Sequence, residues 1–313
     1  MTTFDAADAP VPGQLELAGR CHAGTLRPAL EDAWGSRVER DDCALVVVAD
    51  GVSGQAGGAE ASAMAVEVTL RAFSEAPPRE PPGSRLYRAV QQANIEIYDR
   101  AVTVTELRGM STTLTAVVVD AGELTAVHVG DSRLYLLRDG VLTQLTKDHT
   151  VAADKVRFGL LAREKARHHP DRSVLTRSVG RELIVSRDRL SRPVAQGDVL
   201  LVCSDGLHTV LGDEEMTALL DGRTAEDACC ALVDAANARG TPDNLTAAVL
   251  RVLGPTPAPG ARSGGLGARL RRVFQRPGGR AAGRAAAVTP RRRKHWPAGK
   301  AAHARGASAG AAG

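Results

Sequence analysis

The chain has 313 residues, of which 43% are hydrophobic and 3% aromatic, so a globular core would be built mainly from aliphatic side chains and alanine. Its net charge of +4 is unevenly spread, because residues 255–313 carry 13 of the 40 Lys and Arg residues and no Asp or Glu. A basic tail thus follows an acidic body, residues 1–254, whose net charge is −9.

Cysteine usage and hydropathy exclude several classes of protein. The five cysteines are an odd number and none stands in a CxxC spacing, which argues against a disulfide framework or a zinc site. The N-terminus lacks the pattern of a secretory signal, and no run of about 18 apolar residues predicts a transmembrane helix. We therefore expect a protein of the reducing cytoplasm.

In chain order, residues 1–14 are predicted to be a flexible N-terminus and residues 15–254 one folded domain. Apolar and β-branched segments predict six strands, at 45–49, 113–119, 124–129, 133–137, 199–203 and 245–253. Helical spacing of apolar residues predicts helices around 61–72 and 86–101, and a third from Thr224 to about Ala238. Because the strands come in hairpins, the fold class is α+β with antiparallel sheets and helices packed outside.

Two segments depart from this pattern. Residues 148–178 are rich in His, Arg and Lys with weak periodicity, so they are either disordered or a functional flap. Residues 255–313 are rich in Pro, Gly, Ala and Arg and are predicted to be a disordered tail, with a short basic amphipathic turn at 266–274.

The acids stand where strands end. Asp50 and Asp205 each follow an apolar strand and precede a glycine, Asp243 stands just before another strand, and Asp131 follows a fourth. One such Asp-Gly pair would be a turn. Several converging carboxylates would repel each other and raise each other's pKa unless a divalent cation joined them. Ligation by oxygen alone selects Mg²⁺ or Mn²⁺ over zinc.

These residues fall into ordered motifs over residues 15–254. An Arg precedes an acidic pair at Arg27 and Glu31-Asp32; the other motifs are Ala49-Asp50-Gly51, Gly109-Met-Ser-Thr-Thr113, Val129-Gly-Asp131-Ser-Arg133, Leu145-Thr-Lys-Asp148-His149, Ser204-Asp205-Gly206 and Asp243-Asn244. In this set the chain resembles the bacterial form of the metal-dependent protein phosphatases of type 2C.

The resemblance implies two packed antiparallel sheets flanked by helix pairs, and a centre of two Mn²⁺ or Mg²⁺ ions. Asp50 would bridge the ions, Asp205 and Asp243 would complete one, and the Gly51 carbonyl the other. The remaining roles fall to Glu31 and Asp32 for metal-bound waters, Asp131 for a third, weaker ion shared with Asp205, and Arg27 for the substrate phosphate.

The resemblance also implies the chemistry. Two ions about 3.5–4 Å apart activate a water for in-line attack on phosphorus, so no nucleophilic Cys is expected. Val52 and Ser53 replace the common residues after Asp50-Gly51, and Leu30 stands where Asn is common. Gln55 stands where His is common, which leaves a metal-bound water or His149 as the proton donor.

Several polar residues are expected to have ordinary roles. We expect His149, His168 and His169 in the flap or on the surface, Arg177 in a structural role, and the acids Glu39, Asp41 and Asp42 in a solvated loop. Cys203 is predicted to be inert core, and the Cys229-Cys230 pair to be packing.

The implied function is hydrolysis of phosphoserine and phosphothreonine in proteins, opposing a Ser/Thr kinase, by a monomer. One alternative is a catalytically weak phosphoprotein-binding module of the same fold. Another is a binder of nucleic acid or membrane surfaces through its tail. The Arg291–Lys294 run lacks interleaved aromatic residues, so we expect no specific nucleic-acid recognition and at most weak contact with acidic surfaces.

Overall fold

The computed structural model describes residues 15–52 and 57–254. Within these ranges the strands are β1 (Leu15–His22), β2 (Asp32–Arg40), β3 (Cys43–Asp50), β4 (Leu114–Asp120), β5 (Glu123–Val129), β6 (Arg133–Arg138), β7 (Val141–Gln144), β8 (Asp188–Pro193), β9 (Val199–Cys203) and β10 (Leu245–Val252). They form two five-stranded sheets, ordered β1-β10-β9-β6-β7 and β2-β3-β4-β5-β8. Every pairing is antiparallel.

Helices cover the outer faces of both sheets. The helices of the described ranges are α1 (Gly58–Glu75), α2 (Pro82–Thr103), α3 (Val151–Arg157), α4 (Arg163–Ala166), α5 (Asp205–His208), α6 (Asp213–Leu220) and α7 (Ala225–Ala238), with 3₁₀ turns at Thr105–Leu107 and Pro170–Ser173. The pair α1 and α2 packs on the sheet that contains β3, and α6 and α7 pack on the other. The predicted helix start holds, because the Thr224 hydroxyl accepts from the backbone N–H of Asp227 at 3.1 Å.

Three apolar layers hold the sandwich together. Along β3, alternate side chains such as Leu45 and Val47 face α1 and α2, whereas Val46 and Val48 face the layer between the two sheets. A third layer lies between the other sheet and α6 and α7. Because both faces of β3 are buried, its sequence is a continuous apolar run although its neighbours are antiparallel. The predicted α-β-β-α sandwich is confirmed.

The six predicted strands are present, but four further strands were missed. β1 and β7 are the edges of one sheet, and β2 and β8 are the edges of the other. β2 and β8 are largely half-buried or exposed and contain several charged residues. An edge strand has a partner on one side only, so its sequence carries a weaker apolar signal.

The prediction of a solvated loop at Glu39 was wrong. Glu39 lies in β2 and accepts two hydrogen bonds from Arg85 of α2, at 3.0 and 2.5 Å. Arg85 is 2% exposed, donates to the Phe73 carbonyl and stacks on the Phe73 ring, with its guanidinium carbon 4.1 Å from the ring centroid. The charge pattern alone did not indicate a buried partner from another element. Asp41 is exposed, as expected.

Some predictions lie outside the described residues. These are the flexible N-terminus at 1–14, the tail at 255–313, and the substitutions at Ser53 and Gln55. None of the helices in the described ranges combines the length and apolar character needed to cross a bilayer.

Candidate metal centre

The strand ends that carry the acids meet at one end of the sandwich. In the first sheet, Cys203 at the end of β9 pairs with Ala247 near the start of β10 and with Arg133 at the start of β6. In the second sheet, Asp50 at the end of β3 pairs with Asp32 at the start of β2. Antiparallel neighbours thus bring the end of one strand beside the start of the next.

A cavity of about 380 Å³ lies at this end. Its lining includes six of the predicted site residues, Arg27, Asp50, Gly51, Asp131, Asp205 and Asp243. The acidic pair Glu31-Asp32 is not part of the lining. The structure therefore gathers the four predicted aspartates around one space, from four strands that are distant in sequence.

Asp32 lies buried beside this cavity. Its Oδ2 atom accepts hydrogen bonds from the hydroxyls of Ser204 and Thr246, both at 2.7 Å. Its Oδ1 atom is buried without a hydrogen-bond partner among the described residues. Glu31 is half-buried, and its backbone carbonyl accepts from Gly51 N–H at 3.1 Å.

The pKa values of the clustered carboxylates are raised. Burial, reinforced by neighbouring aspartates, raises the pKa of Asp32 from 3.8 to about 7 and that of Asp205 to about 6. The same causes raise the pKa of Asp50 and of Asp131 well above the ordinary value. The contact between Asp50 and Asp205 partly opposes the rise in the pKa of Asp205. Burial also raises the pKa of Asp243, although Arg27 opposes this.

The donor set fits a hard divalent cation. The aspartates offer only oxygen atoms, and Asp205 Oδ1, like Asp32 Oδ1, is buried without a hydrogen-bond partner among residues 15–52 and 57–254. In that same part of the chain, no three Asp, Glu, His or Cys side chains already meet the spacing of a metal shell. They pair instead with one another and with Arg27. A cation would relieve both the mutual repulsion and the unpaired oxygens.

Arg27 closes one side of the cavity. Its Nη2 atom donates to Asp243 Oδ2 at 2.7 Å, and its Nε atom donates to the Pro242 carbonyl at 3.1 Å. The Arg27 side chain is 36% exposed, so this ion pair is worth little and leaves donors free toward the cavity. A guanidinium in this position matches the oxygens of a phosphate group.

Asn244 is a positioning residue that the sequence analysis did not assign. It is 2% exposed, and its Oδ1 atom accepts from the backbone N–H of Glu31 at 2.7 Å. Its Nδ2 atom donates to the carbonyls of Ala23 and Ala29, at 2.8 and 3.0 Å. The segment that carries Arg27 is thereby fastened to the start of β10. Its position beside Asp243 in the Asp-Asn motif was the available signal.

Two threonines hold the backbone of Asp50. Thr113 Oγ1 accepts from Asp50 N–H at 3.0 Å, and Thr112 Oγ1 donates to the Asp50 carbonyl at 2.8 Å. Both threonines are buried. The Thr-Thr motif at the start of β4 thus fixes the orientation of the aspartate at the end of β3.

The glycines after Asp50 and Asp205 serve close packing. Neither Gly51 nor Gly206 has a positive φ, so no left-handed backbone conformation requires a glycine at these positions. A Cβ atom on Gly51 would lie 2.3 Å from the Gly58 carbonyl oxygen, and one on Gly206 would lie 1.7 Å from the Asn244 carbonyl oxygen. These close backbone approaches exclude any side chain.

The segment 148–178 is structured and forms one wall of the cavity. It contains α3, α4 and the Pro170–Ser173 turn, and it contributes Ser173, Val174, Leu175 and Ser178 to the cavity lining. The segment is therefore not disordered, and its function as a flap stays a prediction.

His149 lies in the segment 148–178, one of the two places expected for it, and it is buried. The backbone N–H of Gly130 donates to its Nδ1 atom at 3.1 Å, which places the ring proton on Nε2, 3.3 Å from Asp188 Oδ2. Burial and the nearby Arg177 lower its pKa. His149 is not part of the cavity lining, and it holds the turn that carries Asp131.

Comparison with known proteins agrees with this geometry. The family model of protein phosphatase 2C matches residues 19–249. The serine/threonine phosphatase Stp of Listeria monocytogenes is 36% identical over 231 residues, which are 72% of this chain and 92% of that protein. The serine/threonine protein phosphatase PstP of Mycobacterium tuberculosis is 36% identical over 245 residues, which are 76% of this chain and 45% of that protein.

Solved structures agree as well. The crystal structure of Mycobacterium tuberculosis PstP superposes with a TM-score of 0.70 at 34% identity, covering 77% of this chain and 99% of that one. The catalytic domain of PstP in complex with two manganese ions superposes with a TM-score of 0.68 at 32% identity, covering 77% and 99%.

A sandwich of two antiparallel sheets with aspartates gathered at one end defines the class of metal-dependent phosphatases. The chain belongs to the protein phosphatase 2C family. It is a metal-dependent protein serine/threonine phosphatase.

Proposed function

We propose that the aspartate cluster holds two Mn²⁺ ions, with Mg²⁺ as the alternative, and that this centre dephosphorylates phosphoserine and phosphothreonine in proteins. The observation that carries the proposal is the cavity lined by Asp50, Asp131, Asp205 and Asp243. Arg27 lines the same cavity and forms an ion pair with Asp243. A PstP structure that contains two manganese ions supports the choice of metal.

In this proposal Asp50 would serve both ions, Asp205 and Asp243 would hold one of them, and the Gly51 carbonyl would hold the other. Asp131, whose pKa is raised by burial and by the neighbouring Asp205, would hold a third and weaker ion together with Asp205. When bound, the ion pair would lower the pKa of a water molecule and neutralise charge on the phosphoryl group. The chain supplies the oxygens that hold the ions in place.

The protein's own residues bind and orient the other reactants. Arg27 binds the substrate phosphate through the guanidinium donors that Asp243 and Pro242 leave free. Asp32 uses Oδ2 for Ser204 and Thr246, so Oδ1 remains to orient a water molecule. Glu31 would likewise orient a metal-bound water. The Nε2 proton of His149 faces Asp188, so we assign the proton donor to a water and not to His149.

The rival function is a catalytically weak module that binds phosphoproteins. A module that only binds phosphoproteins would not need four neighbouring carboxylates with raised pKa values, because their mutual repulsion costs stability and contributes nothing to binding. The complete set of acids favours the active enzyme.

Three further properties belong to the proposal. All five cysteines are free, which fits a reducing compartment, and we place the enzyme in the cytoplasm. Its role there would be to oppose a Ser/Thr kinase. We expect a monomer, which light scattering after size exclusion would test. The 13 basic residues of 255–313 would give weak contact with acidic surfaces without specific nucleic-acid recognition.

The test is hydrolysis of p-nitrophenyl phosphate and of phosphoserine and phosphothreonine peptides with Mn²⁺, with EDTA, and by the Asp205→Asn variant. The exposed Asp221, at the end of α6, provides the matched control Asp221→Asn. We expect loss of turnover with EDTA and in Asp205→Asn, and unchanged turnover in Asp221→Asn. Metal-independent turnover, or full activity of Asp205→Asn, would refute the proposed function.

A further inference from the structure

A second arginine lines the metal cavity. Arg181 is exposed and contributes to the same lining as Arg27 and the four aspartates. Arg27 is held by Asp243, whereas Arg181 has no ion pair or side-chain hydrogen bond within residues 15–52 and 57–254. Among the described residues of this lining, the Arg181 guanidinium is therefore the positive group that remains available to bind an anionic ligand.

The loop that carries Arg181 is firmly anchored. Just before it, Val179 and Thr112 exchange backbone hydrogen bonds of 3.0 and 2.8 Å. The backbone N–H of Gly180 donates to Asn94 Oδ1 at 2.9 Å. Asn94 of α2 is fully buried, and its Nδ2 atom donates to the carbonyls of Glu182 and Leu183, at 2.9 and 3.0 Å.

These bonds clamp the backbone on both sides of Arg181. Gly180 adds to this, because its φ is +90° and a Cβ atom there would lie 2.2 Å from Ile97 Cγ2. A buried amide that makes three hydrogen bonds to one loop reduces the entropy lost when the loop binds a partner. An arginine that served only solubility would not need such a support.

We propose that Arg181 is a specificity-determining residue that binds acidic side chains next to the phosphorylated residue of the substrate. This inference rests on the proposed function. In that proposal Arg27 binds the phosphate beside the aspartates. The exposed Arg181 is free to contact substrate residues on either side of the phosphorylated one. Unpaired positive charge at a binding cavity selects for anionic partners and speeds their association.

The experiment compares three phosphothreonine peptides of equal length, with acidic, neutral or basic residues beside the phosphothreonine, and p-nitrophenyl phosphate. The variants are Arg181→Ala, Arg181→Lys and Arg181→Glu in the full chain. Arg79 is exposed in the loop between α1 and α2 and does not line the cavity, so Arg79→Ala is the matched control.

We expect Arg181→Ala to raise KM for the acidic peptide about threefold to tenfold, with kcat little changed. Arg181→Lys should keep most of the preference, and Arg181→Glu should invert it toward the basic peptide. The KM for p-nitrophenyl phosphate should not change. The preference of the wild type should weaken with added salt, because the contact is exposed.

Two results would overturn the inference. Equal KM increases for all peptides and p-nitrophenyl phosphate would mean that Arg181 binds the phosphate itself. Unchanged KM values throughout would mean that it binds no substrate. A binding measurement separates this test from that of the proposed function. Fluorescence anisotropy would measure the affinity of each peptide for the Asp205→Asn variant, which is not expected to turn over. A preference for the acidic peptide that disappears in Asp205→Asn/Arg181→Ala would support the inference even without turnover.

Discussion

Asp32 and Asp50 are direct neighbours across the pairing of β2 and β3. Like charges at such positions repel, and the Asp32 carboxylate is one cause of the raised pKa of Asp50. The hydrogen bonds of Ser204 and Thr246 to Asp32 compensate only in part, because they serve a single oxygen. The fold thus brings together two carboxylates whose repulsion is relieved only by protonation or by a bound cation.

The first prediction concerns pH and the stability of the metal-free protein. The pKa of Asp32 is about 7 in the folded state against 3.8 ordinarily, so the folded state binds this proton more tightly. Its ionisation therefore destabilises the fold progressively as pH rises from about 4 to about 7. The free energy of unfolding of Asp32→Asn minus that of wild type should therefore increase by roughly 1–3 kcal/mol from pH 5 to pH 8.

Urea unfolding of EDTA-treated proteins at the two pH values measures this difference. The buried His128 and His208 have pKa values lowered to about 4 and about 3, so their contribution to stability increases with pH. They act alike in wild type and variant and cancel in the comparison. A difference between the two proteins that does not depend on pH would contradict the raised pKa.

The second prediction concerns Arg27. Arg27→Ala should lower kcat/KM for p-nitrophenyl phosphate about 10- to 100-fold, mainly through KM, because a charged hydrogen bond to phosphate is lost. Arg27→Lys should lie between, since an ammonium group cannot make a bidentate contact. The Mn²⁺ concentration for half-maximal activity should not rise, because the ion pair with Arg27 occupies an Asp243 oxygen that the proposed centre needs for metal. An unchanged KM in Arg27→Ala would exclude the phosphate role.

What the sequence could predict depended on burial. The interior strands, such as β3 with its run Leu45 to Ala49, are apolar on both faces and were found. The four edge strands were not, because their half-exposed residues resemble loops. The aspartates were predicted to converge because strand ends mark them. Asn244 and Asn94 were not assigned their roles, since their partners are backbone atoms of distant segments that only the tertiary fold brings close.

The third prediction concerns backbone packing at the site. Gly206→Ala should destabilise the fold by about 2–4 kcal/mol, because its Cβ would lie 1.7 Å from the Asn244 carbonyl oxygen. Gly212 has open space around its Cβ position and a φ of −82°, so Gly212→Ala should cost less than about 1 kcal/mol. Urea unfolding compares the two variants. Equal effects would mean that the backbone at Gly206 can move away.

The fourth prediction concerns the buried ion pair between Glu39 and Arg85. Glu39→Ala should destabilise the fold by about 3–5 kcal/mol, because it leaves the Arg85 guanidinium buried without its partner. The neighbouring Asp41 is exposed, so Asp41→Ala should change stability by less than about 0.5 kcal/mol. Thermal and urea unfolding measure both. A small effect of Glu39→Ala would mean that the Phe73 carbonyl and ring are enough to stabilise the buried Arg85 guanidinium.

Calorimetric titration of Mn²⁺ into the EDTA-treated full chain tests the central claim, that the aspartates converge to bind metal. We predict two ions per chain in wild type, and loss of both in Asp50→Asn, because the proposed centre has Asp50 serving both ions. Circular dichroism of the metal-free variant would verify that it is folded. Metal binding of wild-type strength and stoichiometry in a folded Asp50→Asn variant, or no binding by the wild type, would contradict the account.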